Sequence, residues 1–380
     1  MPSSFQQELT QPLSSERLTA IDAMRGLVMV LMALDHASYA FNAGRFARDS
    51  AAMWTPGTEI PTVQFLFRAL PHFGAPTFVF LAGFVLALSI AKRRAAGVSE
   101  GAIDGFLLKR GLFIILLDPL WMSFGYGTSF LFQVMYAIGA SFGCMIALRR
   151  LDVRLLLIIG LAIILFDEAF AGLALWAGGG KPGFFGALLI TGGPIMGQAF
   201  VLYPLLPWLA FMILGWACGR YLLLTKDALP IRLFIKVGLG SLIVFAVVRG
   251  INGYGNMALL RDNLSFVQWL HVSKYPPSIS FAAYAMGMMF LLLALLGAWY
   301  QKQPGTPANP LLVFGRTPLF FYVIHVHLLA ASAHLLGIYK TGGLIETFVA
   351  ALLVMVILYP LCRWYGKIKN NHPGSFLRYL

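Results

Sequence analysis

A succession of apolar runs, each about 20 residues long, divides this chain of 380 residues. Each is long enough for a helix to cross a hydrocarbon layer about 30 Å thick, and in lipid such a helix satisfies its own backbone hydrogen bonds. The runs fall near residues 20–42, 63–91, 106–124, 128–148, 153–171, 200–220, 233–251, 279–299, 311–336 and 344–364. With 59% hydrophobic and 11% charged residues, and a mean hydropathy of +0.78, a soluble globule and a disordered chain are both excluded. No strand-period pattern of a barrel competes. The reading is an all-α polytopic membrane bundle of about ten transmembrane helices. No repeat or linker marks a second domain, so residues 20–364 form one transmembrane domain between tails at 1–19 and 365–380.

The net charge of +13 does not point to nucleic acid, because the basic residues sit at the ends of apolar runs and form no basic domain. With the N-terminus inside, the segments holding Arg17, Lys92, Arg93, Arg94, Lys109, Arg110, Arg149, Arg150, Arg154, Arg220, Lys226, Arg232, Lys236, Lys302, Arg363, Lys367, Lys369 and Arg378 are cytoplasmic. They outnumber Arg45, Arg48, Arg68, Lys181, Arg249, Arg261, Lys274 and Lys340 opposite, which predicts both termini in the cytoplasm. The first twenty residues lack a basic segment with a cleavage site, so no removed signal peptide is expected. Cys144, Cys218 and Cys362 imply neither a disulfide framework nor a metal site.

The first run carries Asp22, Arg25, Asp35 and His36 where a simple anchor would carry leucine. Ionisable groups at membrane depth are costly and face protein or a wet cavity, so this helix reads as working machinery. At about 100° per residue, the step from Arg25 to His36 returns to within about 20° of one face and rises roughly 16 Å. Asp22, Arg25 and His36 then form one lane, and Asp35 lies about 100° round from it. Asp22 and Arg25 are also spaced to neutralise each other as a structural ion pair.

Elsewhere the signals are mixed. Pro71, Gly74 and Pro76 interrupt the second run and predict a two-piece helix with His72 at its break, where His72 is either an interfacial residue or part of a site. Asp118, followed by Pro119, has the same ambiguity. The glycine-rich Ala177–Phe200 is not a P-loop, because Lys181 is followed by proline; it reads as a re-entrant lid or a flexible loop. The long loop Asn252–Ser278 ends in Ser-Lys-Tyr-Pro-Pro-Ser, where Lys274 and Tyr275 can meet a substrate. Gly139 with Gly143, and Gly215 with Gly219, read as close-packing pairs. Arg316 to His327 in the ninth run repeats the eleven-residue step, by chance or as a second lane facing the first. His325 points nearly opposite to His327, so the two form a poor metal pair.

An arginine fork suits phosphate, as does a helix start near Gly315–Thr317. A rise of roughly 16 Å matches an extended pantetheine arm, so coenzyme A held at Arg25 and Arg316 would present its thioester to His36. Histidine suits general-base work at neutral pH, with Asp35 placed to orient it.

These residues carry a resemblance. RLTAIDAMRG, LDHASYAFN, GAPTFVFLAG (Gly74–Gly83), SKYPPS (Ser273–Ser278) and FGRTPLFFYVIHVHL (Phe314–Leu328) resemble bacterial members of the heparan-alpha-glucosaminide N-acetyltransferase catalytic-domain family, grouped with acyltransferase family 3. In that group an arginine followed by a histidine on the first helix is a functional motif, matched by Arg25 and His36. The lysosomal member has asparagine at the position of His36 and a catalytic histidine in the loop beyond; Phe41–Ile60 has none, so the base falls to His36. The resemblance implies a bacterial inner-membrane acyltransferase that uses acetyl-CoA as donor substrate and a glycan or lipid-linked molecule as acceptor. Arg25, Arg316 and His327 would hold the donor. Asp35, His36 and Arg25 would serve catalysis, and His72, Lys274 and Tyr275 would meet the acceptor. No metal or nucleic acid is called for, and homo-oligomerisation stays open. The rival readings are a transporter or flippase using the same polar path, and a structural or sensory subunit.

Overall fold

The computed structural model describes residues 15–128, 130–224, 229–303, 305–372, 374, 375 and 377, with side chains from Thr19 onward. Lys226, Arg378, the side chain of Arg17 and most of the N-terminal tail lie outside the described residues.

Each of the ten expected runs contains a helix. The major helices are α1 (Ser15–Phe41), α2 (Thr62–Ala69), α3 (Gly74–Ala95), α4 (Glu100–Leu117), α5 (Val134–Leu148), α6 (Val153–Ala177), α7 (Leu205–Leu224) and α8 (Ile231–Ile251). They continue with the short α9 (Phe266–Leu270), then α10 (Ile279–Lys302), α11 (Pro310–Arg316), α12 (Pro318–Leu335) and α13 (Leu344–Asn371). Among the described residues, seven stretches are long and apolar enough to span a membrane: α2 with α3, then α6, α7, α8, α10, α12 and α13. The other three expected spans fall short for visible reasons. The ionisable residues of α1 and of α4 (Glu100, Asp104, Lys109, Arg110) dilute their apolarity, and α5 has 15 residues.

Helix α1 lies at the centre, packed by α3, α10, α11, α12 and α13. Its Ala20, Ala23, Ala33 and Ala37 are fully buried, and small residues of this kind let helix backbones approach closely. A Cβ on Gly26 would collide with the carbonyl oxygen of Leu311, and one on Gly315 with that of Asp22, so α1 and α11 touch backbone to backbone. Gly139 meets Gly111 in the same manner, and Gly215 and Gly219 meet Phe80 and Phe84. Gly143 has no neighbour within 4 Å, so only three of the four expected packing glycines act that way. Helices α6, α8 and α13 turn broad apolar faces outward, as lipid-facing helices do.

Three expectations change. The ninth run is two helices, because Pro318 has no N–H to continue α11 and disfavours helical geometry at Thr317, which sits at φ −128°, ψ 42°. The last helix continues to Asn371, past the expected tail boundary at 364. The glycine-rich segment is not the flexible loop that was one of its two readings. Its strands β2 (Gly193–Ile195) and β3 (Ala199–Val201) pair antiparallel, and β3 pairs parallel with β1 (Leu131–Phe132). Ala187, Ile195 and Val201 pack on Tyr136 of α5, and Gly192, at φ 70°, makes the turn into β2.

The break at residues 70–73 separates α2 from α3 as expected. Beyond α8, one guanidinium organises the long loop. Arg249 is fully buried and donates to the carbonyls of Gln268 (2.6 Å), His271 (2.8 Å), Leu259 (2.9 Å) and Trp269 (3.2 Å) and to Asn256 Oδ1 (2.9 Å). His271 in turn reaches the Arg48 carbonyl, and the Lys274 N–H donates to the Asp49 carbonyl, so this loop docks on residues 42–61. Replacing Arg249 by Met orphans five acceptors at a cost of about 1 kcal/mol or more each. The expected result is cleavage within 252–278 in limited proteolysis of purified protein under conditions that leave the native chain intact.

Candidate functional site

Because α1 is unbroken, the lane read from spacing survives in three dimensions: Asp22 and Arg25 lie near one end and His36 about 16 Å further along. At the first end Asp22 holds two cations, with Arg25 Nη1 at 3.4 Å from Oδ1 and Arg316 Nε at 3.4 Å from Oδ2. The structural ion pair and the arginine mouth are therefore the same object. Arg93, Arg110 and Lys369 gather nearby, with Arg110 close enough to interact by charge with both Arg25 and Arg93 and Lys369 with both Arg110 and Arg25. The buried Nε of Arg110 has no hydrogen-bond acceptor among the described residues, and its guanidinium lies over the Phe142 ring at 5.5 Å. This mouth has cations in excess of its one acid.

At the other end the structure corrects the choice of histidine. His36 Nδ1 lies 2.7 Å from His325 Nε2, with the rings stacked at 4.9 Å. His327, expected to complete a second lane, faces the other way. Its Nε2 reaches the Trp121 carbonyl at 3.0 Å and its ring lies on the Trp121 indole. The roughly 200° between positions i and i+2 forces this choice: only one of the two histidines can face α1.

The pair fixes its own protons. His325 Nδ1 is 2.8 Å from the Tyr322 carbonyl and 3.0 Å from that of Phe321, and carbonyl oxygens only accept, so Nδ1 carries the hydrogen. With both rings neutral, His325 Nε2 accepts and His36 Nδ1 donates to it. This tautomer, assigned from the hydrogen-bond network, leaves His36 Nε2 unprotonated, an acceptor. Tyr126 Oη sits 3.1 Å from that nitrogen and 3.5 Å from Tyr322 Oη. His36 is partly accessible whereas His325 is fully buried, so His36 is the exposed member of the pair.

Asp35 does not touch the imidazole of His36. Its carboxylate is held by Arg68 Nη1 at 2.6 Å and by Arg45 Nη1 at 2.8 Å. Arg68 also donates through Nε to Asp49 at 3.0 Å, and Asp49 Oδ1 lies 3.3 Å from His72 Nε2. His72 is only 1% exposed, so it backs this ionic cluster and presents no open surface at the helix break. Lys274, 4% exposed, is also buried; its ammonium interacts by charge with Asp35, His36, Asp49 and His72 and sits 5.2 Å from the Tyr275 ring centre. Tyr275 Oη pairs with Tyr203 Oη at 3.4 Å. Lys274 and Tyr275 thus join the cluster beside His36 and do not stand on an exposed loop tip.

Met29 and Met32 occupy the lane between the two ends, the first fully buried and the second 9% exposed. Between its two ends the lane thus carries packed thioether side chains, which adapt easily to a new shape. Asp118 acts locally, since its Oδ2 accepts the N–H groups of Gln133 and Tyr136, each at 2.7 Å, and so caps the start of α5.

Sequence reasoning missed Arg68, Asp49, Tyr126, Tyr322 and the role of His325. Arg68 and Asp49 read as ordinary loop-side charges, and only their burial marks them. Burial raises the Asp49 pKa, but Arg68 and then His72 outweigh it and hold the carboxyl well below the usual aspartate value of about 3.9. A depressed folded pKa gives stability that is complete above the unfolded value and is lost as pH falls through the folded one. Asp49→Asn should lower the thermal midpoint at pH 7, and its deficit should shrink as pH is lowered below about 4. Thermal scans over that range check the sign.

No curated protein matches the chain. A family match, described as heparan-alpha-glucosaminide N-acetyltransferase, catalytic, covers residues 17–249. It includes Arg25, Asp35, His36, Arg68, Arg110 and Tyr126, and it stops before Lys274, Arg316 and His325. By this match over more than half its length, the chain belongs to the heparan-alpha-glucosaminide N-acetyltransferase catalytic-domain family.

Proposed function

We propose that this protein is a membrane-embedded acetyltransferase of a bacterial inner membrane, with both termini cytoplasmic, that moves an acetyl group from cytoplasmic acetyl-CoA to a glycan or lipid-linked acceptor on the far side. The observation that carries the reading is the unprotonated Nε2 of His36, held in that tautomer by His325 and placed on the same helix as the Arg25 mouth. A base and an anion seat joined by one rigid element are what this transfer needs.

In this reading the phosphates of the donor rest among Arg25, Arg316, Arg110 and Lys369, and the pantetheine arm passes Met29 and Met32. His36 Nε2 takes the proton of the acceptor amine or hydroxyl as it attacks the thioester carbonyl. The new C–N or C–O bond forms, the C–S bond breaks, and the thiolate of coenzyme A leaves with the proton that His36 returns. The Tyr126 hydroxyl, released from Nε2 by the acceptor, and its neighbour Tyr322 supply donors for the carbonyl oxygen. Asp35, Arg68 and Lys274 set the charge around the acceptor, with Tyr275 at the edge of its seat. His327 has no part in holding the donor.

The test is transfer or hydrolysis of radiolabelled acetyl-CoA by purified protein. His36→Ala should lower kcat by about 10²–10⁴-fold with the fold intact. Arg25→Ala should act mainly on the KM for acetyl-CoA, by about tenfold for a lost charge-assisted contact. His325→Phe leaves His36 without its partner and should lower kcat while leaving that KM in place. Native protein that neither hydrolyses nor transfers the label defeats the proposal, as does full activity in His36→Ala.

A further inference from the structure

At the membrane face that carries the Arg25 mouth, but on the opposite flank of α3, lies a second basic site. Arg93 turns toward the mouth, while its neighbour Arg94 lines a separate cavity of about 360 Å3 with Glu100, Arg149, Arg150, Leu151, Trp216 and Arg220. Four guanidiniums meet there. Glu100 takes Arg94 at 2.7 Å and also Arg149, and Asp104 takes Arg149 at 2.6 Å and also Arg150.

Two guanidiniums are left incompletely answered. The side chain of Arg149 is fully buried and its Nε–H has no acceptor among the described residues. Arg220 is half-buried, interacts by charge with Arg94, and has no carboxylate within ion-pair distance among the described residues. Among the described residues, four guanidiniums thus face two carboxylates around this cavity. An excess of guanidiniums over carboxylates suits an anion, and arginine forks match the oxygens of a phosphate.

Helix α7 couples this site to an apolar one. Trp216 and Arg220, one turn apart, face the arginine cavity. On the adjoining flank Ala217, Cys218 and Tyr221 line a groove of about 770 Å3 against α6, α8 and α10. The groove is almost wholly apolar, with Leu157, Leu161 and Phe234 among its walls.

We propose that this paired site binds an anionic phospholipid, with its phosphate among Arg94, Arg149 and Arg220 and a hydrocarbon chain along the groove beside α7. Charge complementarity selects the headgroup, and the groove selects a lipid over a soluble phosphate. The site is separate from the acetyl-transfer centre and independent of its chemistry.

The test measures thermal unfolding of detergent-purified full-length protein titrated with short-chain phosphatidylglycerol, short-chain phosphatidylcholine or inorganic phosphate. Arg220→Gln is the probe, since it leaves the Glu100 and Asp104 pairs intact. Lys92→Gln, an exposed charge on the same helix as Arg94, controls for net charge. The expected result is saturable stabilisation of native protein and Lys92→Gln by phosphatidylglycerol, with apparent affinity about tenfold weaker in Arg220→Gln. A variant that does not fold gives no titration, and Arg220→Lys, which keeps the charge without the fork, then takes its place with a weakened response expected. Equal titrations of native protein, Arg220→Gln and Arg220→Lys overturn the site, and so does stabilisation by phosphatidylcholine as strong as by phosphatidylglycerol. Full stabilisation by inorganic phosphate alone overturns the lipid assignment.

Discussion

Four ionisable side chains on one membrane helix set the terms for the rest of this structure. A charge at the centre of a bilayer costs about 3 kcal/mol or more, so α1 cannot present Asp22, Arg25, Asp35 and His36 to lipid. The fold answers by surrounding α1 with α3, α10, α11, α12 and α13 and giving each charge a partner: Arg25 and Arg316 for Asp22, Arg68 and Arg45 for Asp35, His325 for His36. Glycines and alanines follow from the same demand. Gly26, Gly315 and the buried alanines of α1 let these partners come close enough to serve.

The two ends of α1 are built differently in charge. The Arg25 end carries surplus positive charge around one acid, which suits a visiting anion. At the His36 end acids and bases alternate through Arg45, Asp35, Arg68, Asp49 and His72, and the charges largely cancel. Such a balanced network fixes the positions of its members with little net charge. The Arg249 hub extends it, because the loop bearing Lys274 is tied at one end to that guanidinium and at the other to Asp49.

Much of this was legible in the sequence, and the part that was not has a physical reason. Apolar run length located ten stretches that each contain a helix, though not the short α9 in the long loop, and Pro71 and Gly74 located the break between α2 and α3. The lane from Arg25 to His36 was legible because it depends only on periodicity within one unbroken helix. Selection between His325 and His327 was not, since it needs the rotation of α12 about its axis, which tertiary packing sets. The helix start read near Gly315–Thr317 is there, at Pro318, but Pro310–Arg316 is itself helical, so the ninth run holds a joint between two helices that its unbroken apolarity hid. Arg68 and Arg249 were invisible for a third reason. A buried arginine and a topological one are spelled alike.

The thioether plug at Met29 and Met32 bears on the membrane as well as on the reaction. A polar route joining both faces of an energised bilayer would conduct protons, and a histidine pair at one end would help it do so. With Met29 fully buried and Met32 nearly so, the face of α1 between Arg25 and His36 carries packed thioether side chains where such a route would need polar ones.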